Sequence, residues 1–249
     1  ISGRRAAHNN ATASSMSSPT SVSSQTLTML TGFRGPGSDS LLAERIRRGR
    51  GLTTRNMQTR QRYTPRVLIT GGAGFLGYHL AAGLRPRTSK LTLVDIAPFT
   101  AEEYPSNAEL AQADVRDREA LERLLSADQY DVVVHAAAAL PLWRRSEIFA
   151  VNVEGTRNVL AAALAHGRPR VVFISSTAVY GVPQKHPIEG DDPLVGVGPY
   201  GESKILAERL CHEYREQGLC VPIIRPKTFI GTGRLGVFAI LNDWVKSGA

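Results

Sequence analysis

The stretch "RVLITGGAGFLG", Arg66 to Gly77, decides the architecture. Its opening residues, Val67 to Thr70, are apolar or β-branched, the composition of a short strand buried on both faces. Glycines follow at once: Gly72, Gly74 and Gly77 fit Gly-x-Gly-x-x-Gly, and Gly71, Gly74 and Gly77 fit Gly-x-x-Gly-x-x-Gly. A helical pattern then runs to about Leu84. A strand that turns through glycines into a helix leaves bare backbone at the helix N-terminus. Free N–H groups and the positive end of the helix dipole face outward there, which suits a diphosphate. A plain strand–helix connection can look the same, so the surroundings must decide.

Working outward, "KLTLVD" (90–95) reads as a second strand and "ELAQAD" (109–114) as a weaker third. "YDVVVHAA" (130–137), "RVVFISS" (170–176) and "VPIIRP" (221–226) read as the fourth, fifth and sixth. Helical spacing separates them, through Ala120, Leu121, Leu124 and Leu125, from Glu147 to His166, and over "KILAERLCHEYREQG" (204–218), which Gly218 ends. Strands alternating with helices of this length imply an α/β fold, a doubly wound parallel sheet of Rossmann type.

In that frame Asp95 closes the second strand, 18 residues past Gly77. A carboxylate there accepts hydrogen bonds from ribose hydroxyls and repels a 2′-phosphate, and no basic residue follows it closely, so NAD is favoured over NADP. A strand-ending Asp that merely caps the next segment is the competing reading. Asp114 and Val115, after the third strand, lie where an adenine could be gripped. Ala136, Ala137 and Ala138, after the fourth, are small enough for backbone to pass close to a ligand. All of these positions fall at strand carboxyl ends, where open α/β sheets place ligands.

Composition bounds the rest. The chain of 249 residues is 42% hydrophobic and 21% charged, ordinary for a globular protein. The longest nearly unbroken apolar run, Val132 to Leu142, is too short to span a bilayer, so no membrane segment is expected. Cys211 and Cys220 form no Cys-x-x-Cys pair, and His79, His135 and His212 form no clustered ligand set. No metal is expected, and a reduced, cytoplasmic setting fits.

The net charge of +8 comes from one end: residues 1–65 hold ten arginines, no lysine, and Asp39 and Glu44 as their acids. The remaining 20 basic and 20 acidic residues cancel, so the folded part is not a basic domain and nucleic acid is not its expected partner. Residues 1–62, rich in Ser, Thr and Arg, are expected to form a disordered tail ahead of a nucleotide-binding domain over 63–249. The tail reads as a transit-type peptide with an organellar destination, as an Arg-rich nucleic-acid arm, or as upstream sequence with the true start near Met57. The first residue being Ile1 favours the last. The chain stops at Ala249 in or just after a helical pattern (Phe238, Leu241, Trp244, Val245), and the expectation is a fragment lacking most of a C-terminal substrate domain.

Taken together, "TGGAGFLG", "VD" (94–95), "ADVRD" (113–117), "VVVHAAA" (132–138), "VNVEGTRNVL" (151–160), "SSTAVYG" (175–181), "PYGESK" (199–204) and "IIRP" (223–226) come in an order that resembles the extended short-chain dehydrogenase/reductase superfamily. The resemblance is to its NAD-dependent epimerase/dehydratase family, in particular the UDP-sugar 4-epimerases, over about residues 66–230. It implies NAD contacts from Gly71, Gly74, Phe75, Leu76, Gly77, Asp95, Asp114, Val115, Ala136, Ala137 and Ala138. Asn152, Arg225 and Pro226 join them, Asn152 bonding cofactor or backbone. Tyr200 would be the catalytic acid/base, with Lys204 beside it and both against the nicotinamide ribose. The chemistry agrees: a phenol with a pKa near ~10 needs a neighbouring cation to act as a base at neutral pH, and residues four apart share a helix face. Thr177 matches the family hydroxyl that bonds the reacting alcohol; Ser175 and Ser176 rank below it, and Ser175 lines the nicotinamide pocket.

The implied reaction is hydride transfer between a sugar carbon and NAD, and the implied partners are a nucleotide sugar and a second copy in a homodimer. Dehydratases of the family carry Thr-Asp-Glu where Thr177, Ala178 and Val179 stand, which favours an epimerase. The alternatives are a dehydrogenase or reductase of a secondary alcohol, similar to 3β-hydroxysteroid dehydrogenases, and a non-catalytic NAD-binding protein.

Overall fold

Six strands pair in parallel: β1 Arg66–Thr70, β2 Lys90–Asp95, β3 Ala108–Gln112, β4 Val132–His135, β5 Arg170–Ile174 and β6 Ile223–Ile224. The computed structural model describes residues 63–183, 185–232 and 238–247, so the tail expected over 1–62 lies outside the described residues. The order across the sheet is β3-β2-β1-β4-β5-β6. The chain reverses direction of growth between β1 and β4, and that switch opens a crevice at the strand carboxyl ends. The expected α/β doubly wound fold is the observed one.

Helices α1 Phe75–Leu84, α2 Arg118–Ser126, α3 Arg145–Phe149, α4 Gly155–Ala165, α5 Gly198–Glu216 and α6 Phe238–Ser247 complete the fold, with a π-helical turn, Ala150–Glu154, joining α3 to α4. Two apolar layers follow from strand alternation. Leu68, Val133, Val171 and Phe173 point to one face and pack with Leu121 and Leu125 of α2, Val159 and Leu160 of α4, and Ala207 and Leu210 of α5. Val67, Ile69, Leu91, Leu93, Val134 and Val172 point to the other, against Tyr78, Ala81 and Leu84 of α1. Strands buried on both sides account for the continuous apolar runs in β1 and β4.

The elements differ from expectation mainly at their ends. β6 keeps two residues where six were expected, because Pro222 and Pro226 have no N–H for the ladder. Beyond that short ladder the edge is held by Val171, Phe173, Ser175 and Thr177 donating to the carbonyls of Cys220, Pro222, Ile224 and Pro226 at 2.7–3.0 Å. Helix α5 begins at Gly198, ahead of the expected Lys204, because Pro199 fits the first turn, where a missing N–H costs nothing. Tyr200 and Lys204 therefore both ride on regular helix.

Candidate functional site

The glycine turn is built by close approach. Gly71 has φ +75°, and a Cβ there would lie 2.7 Å from the Ala137 nitrogen and 2.8 Å from the Ala136 carbonyl carbon. A Cβ on Gly77 would drive into the Gly71 carbonyl oxygen. Only glycine lets β1, the end of β4 and the first turn of α1 meet so closely. No side chain caps α1, so its first-turn N–H groups are left for an anion.

Asp95 braces this turn. Its carboxylate accepts from the Ala73 N–H and from the Ala97 N–H, each at 2.9 Å. Beyond β3, Asp114 accepts the Arg116 guanidinium Nε at 2.8 and 3.0 Å, and that cation holds its carboxyl below the ordinary carboxylate range. Val115 is buried against Gly155, and Asn158 donates to the carbonyls of Val115 and Arg116 at 3.1 Å. Ala136, Ala137 and Ala138 are half-buried along the continuation of β4, beside the glycine turn.

Across the crevice, the inner face of α5 carries Lys204 with 2% exposure. Its ammonium donates to the Ile174 carbonyl at 3.0 Å and lies 5.1 Å from the Phe173 ring centroid and 5.9 Å from that of Tyr200. Burial lowers its pKa to about 8. For Tyr200, burial dominates and pushes its pKa up, and the opposing influence is a hydrogen bond with Ser176. The side-chain partner that favours the phenolate is Ser176, next to Thr177 at the same strand end. Thr177 opens a 3₁₀ turn, Thr177–Tyr180, and its N–H is tied to the Pro226 carbonyl at 3.0 Å. Gly201 lets α5 close on this turn, since a Cβ there would lie 2.7 Å from the Ala178 carbonyl oxygen.

The profile of the NAD dependent epimerase/dehydratase family matches residues 67–242. The chain belongs to that family. Among its relatives, UDP-glucose 4-epimerase 4 of Oryza sativa subsp. japonica is 35% identical over 163 residues, covering 59% of this chain and 44% of the relative. The UDP-N-acetyl-alpha-D-glucosaminuronate decarboxylase of Bacillus cytotoxicus is 38% identical over 173 residues, covering 64% and 53%. The chain thus spans about half the length of these curated relatives. In three dimensions it is similar to the Bordetella bronchiseptica enzyme WbmG solved with NAD and UDP, with a TM-score of 0.60, 31% identity, and coverage of 66% of this chain and 53% of that one.

Several residues that the epimerase/dehydratase resemblance assigns to the cofactor also make contacts within the protein. The Ser175 hydroxyl donates to buried Glu208 at 2.6 Å. Arg225 forms a fork on Glu208 at 2.9 and 2.7 Å and also donates to the Tyr180 hydroxyl and the Gly190 carbonyl, each at 2.7 Å. Pro226 contributes its carbonyl to the Thr177 N–H. Asn152, in the π turn, accepts from the Ala139 N–H at 2.8 Å and donates to Ser203 Oγ at 3.0 Å, so its partners are the β4 loop and α5. Phe75 and Leu76 stand half-buried in the first turn of α1, where Phe75 stacks on Phe229 with centroids 6.1 Å apart.

Two groups escaped the sequence reading. Glu208 is 1% exposed, one helical turn beyond Lys204; the i, i+4, i+8 series Tyr200, Lys204, Glu208 was the available signal. His135 is buried between Thr70 Oγ1 at 2.7 Å and Thr156 Oγ1 at 3.0 Å. Thr156 donates onward to the Asn152 carbonyl at 2.6 Å, which assigns the imidazole as neutral with Nε2–H donating and Nδ1 accepting. Burial, helped by the Lys204 charge, brings its pKa down to about 3. Among the described residues Glu189, Asp191 and Asp192 form the one acidic group close enough to share an ion, and Lys185 already pairs with Glu189 and Asp192. No helix among the described residues is long and apolar enough to cross a membrane.

Proposed function

We propose that this chain carries the NAD-binding and acid/base half of a nucleotide-sugar epimerase. The observation that carries the reading is the meeting of Ser176, Tyr200 and Lys204 at the carboxyl end of β5, in the crevice whose other wall is the glycine turn. The residues present fit a dinucleotide. The α1 N-terminus is uncapped, Gly71 and Gly77 allow a backbone approach that a Cβ would close, and Asp95 stands at the end of β2. Gly71, Gly74, Phe75, Leu76 and Gly77 would hold the diphosphate, Asp95 the adenosine ribose, and Asp114 and Val115 the adenine edge.

When bound, NAD⁺ supplies the hydride acceptor and a positive ring that favours the Tyr200 phenolate. Tyr200 Oη takes the proton of a sugar hydroxyl as the carbon beneath it is oxidised, and returns that proton when the carbon is reduced from its other face. Ser176 Oγ holds the reacting oxygen against the phenol. Lys204 spends one of its three N–H donors on Ile174 and has the others for a ribose hydroxyl, while its charge offsets the burial of the phenolate. With Ser176 as the working hydroxyl, Thr177 and Ala178 follow it, so the acids of a dehydratase are lacking in this numbering as well. That supports an epimerase.

The test is incubation with NAD⁺ and UDP-glucose, following both UDP-galactose and NADH absorbance. Interconversion without net NADH supports the proposal. Net NADH from a secondary alcohol moves the reading to a dehydrogenase. NAD binding with turnover unchanged in Tyr200→Phe would discard the catalytic assignment.

A further inference from the structure

Arg225 gathers three parts of the site into one side chain. Four bonds leave its guanidinium: Nε and Nη2 to the Glu208 carboxylate, and Nη1 to the Tyr180 hydroxyl and the Gly190 carbonyl. Its plane also lies 5.1 Å over the Tyr180 ring. Glu208 is on α5, the helix of Tyr200 and Lys204, and takes the Ser175 hydroxyl as well. Tyr180 ends the 3₁₀ turn that begins beside Ser176. Gly190 sits in the loop that leads back to α5. The far end of that loop is tied to the same turn, through Gly196 N–H to the Val179 carbonyl at 2.9 Å and Val197 N–H to the Ala178 carbonyl at 3.1 Å. Between these ends the loop braces itself by Lys185 to Glu189 and Asp192.

Arg225 thus reaches the loop's middle from outside the loop and turn, and it is anchored by a carboxylate with 2% side-chain exposure. A desolvated fork of this kind fixes direction as well as distance, and a lysine, with three donors and no planar fork, could not make all four bonds. We propose that Arg225, with Glu208 as its buried counter-charge, is a positioning residue that holds the 185–197 loop against the Ser176 turn as the wall closing on the sugar-nucleotide substrate. The inference rests on the epimerase reading above, and it gives Arg225 a substrate-side role in place of a cofactor contact.

The test compares the whole chain with Arg225→Lys and Tyr180→Phe. Three quantities are measured: amide hydrogen exchange, NAD affinity, and the KM against kcat of UDP-glucose turnover. For Arg225→Lys the expectation is exchange about tenfold faster over 185–197 with residues 66–84 unaltered. NAD affinity stays within about twofold, and KM rises about tenfold with kcat within about threefold. Tyr180→Phe, which removes one arm and keeps the ion pair, shifts exchange and KM in the same direction by about two- to fivefold. Unaltered loop exchange in both variants overturns the proposal, as does faster exchange with unchanged KM, or a loss of NAD affinity that parallels the loss of turnover. Failure of the unsubstituted chain to bind NAD and UDP-glucose would instead sink the epimerase reading, and the substrate role of Arg225 with it, before any variant is compared.

Discussion

Lys204 is fastened to Ile174: its ammonium donates to that carbonyl across 3.0 Å, thirty positions back in the chain. One bond therefore sets the distance between the helix that bears the phenol and the strand end that bears the hydroxyl. Because the amine is buried, its titration is coupled to folding.

Burial brings Lys204 to about 8 in the folded protein from its ordinary 10.5. Above the unfolded value both states are neutral and no charge is buried. As pH falls from about 10.5 to about 8 the unfolded amine takes up a proton that the buried one resists, so this contribution to stability is lost, and below about 8 both states are charged and the loss is constant. Urea midpoints should show Lys204→Met gaining on the parent as pH falls from about 10.5 to about 8, with a constant difference below that window. A pH-independent difference across it would contradict a buried ammonium.

His135 works in the acid range. Its folded value of about 3 lies below the ordinary 6.5, so the stability it contributes is present above 6.5 and is lost as pH falls toward 3. His135→Gln, which can still donate and accept, should flatten the acid limb of a stability–pH curve between those limits. A limb as steep as the parent's would assign acid unfolding to other groups.

Gly71→Ala combines left-handed backbone with overlap on Ala136 and Ala137. The conformational part alone costs about 1–2 kcal/mol, and the overlap displaces the turn. Calorimetric titration should find NAD binding lost, with a melting temperature several degrees lower. Retained affinity would argue against the diphosphate site.

Glu208→Leu leaves Arg225 in a largely buried place without its counter-charge, a loss of about 3–5 kcal/mol. The double variant Glu208→Leu/Arg225→Met should recover most of that stability, because an apolar pair replaces an ion pair. Chemical denaturation of the four proteins of the cycle measures the coupling, and additive losses would deny it.

Ser176→Ala should lower kcat about 10–100-fold with little change in NAD affinity, whereas Thr177→Ala should cost less than about threefold. The reverse ranking would restore Thr177 to the reacting oxygen.

The strands and the glycine turn were legible because their signals are local: β-branched runs, period, and glycines that only one backbone path explains. Asp95 was legible in position, and its bonds to Ala73 and Ala97 show that it braces the turn as well. The reacting hydroxyl is harder to read, since "SST" offers three in a row: the family pattern points to Thr177, and Ser176, at the entry into a 3₁₀ turn, is the one that acts on Tyr200. Arg225 was read as a ligand contact because its partner stands seventeen residues away on another element, a pairing no periodicity reveals. The π turn was invisible for a related reason: one surplus residue in a helix leaves the apolar pattern nearly intact.

That surplus residue has an evolutionary consequence. Each helical residue turns the chain by about 100°, so deleting any one of Ala150–Glu154 would rotate all of α4 behind it. Thr156 would swing off the imidazole, and Gly155 would no longer face Val115. Lineages of this protein should therefore tolerate no length change in that helical turn and should keep Asn152, which bonds Ala139 and Ser203, while the exposed stretch around Gly190 varies in sequence so long as a carbonyl still meets the guanidinium.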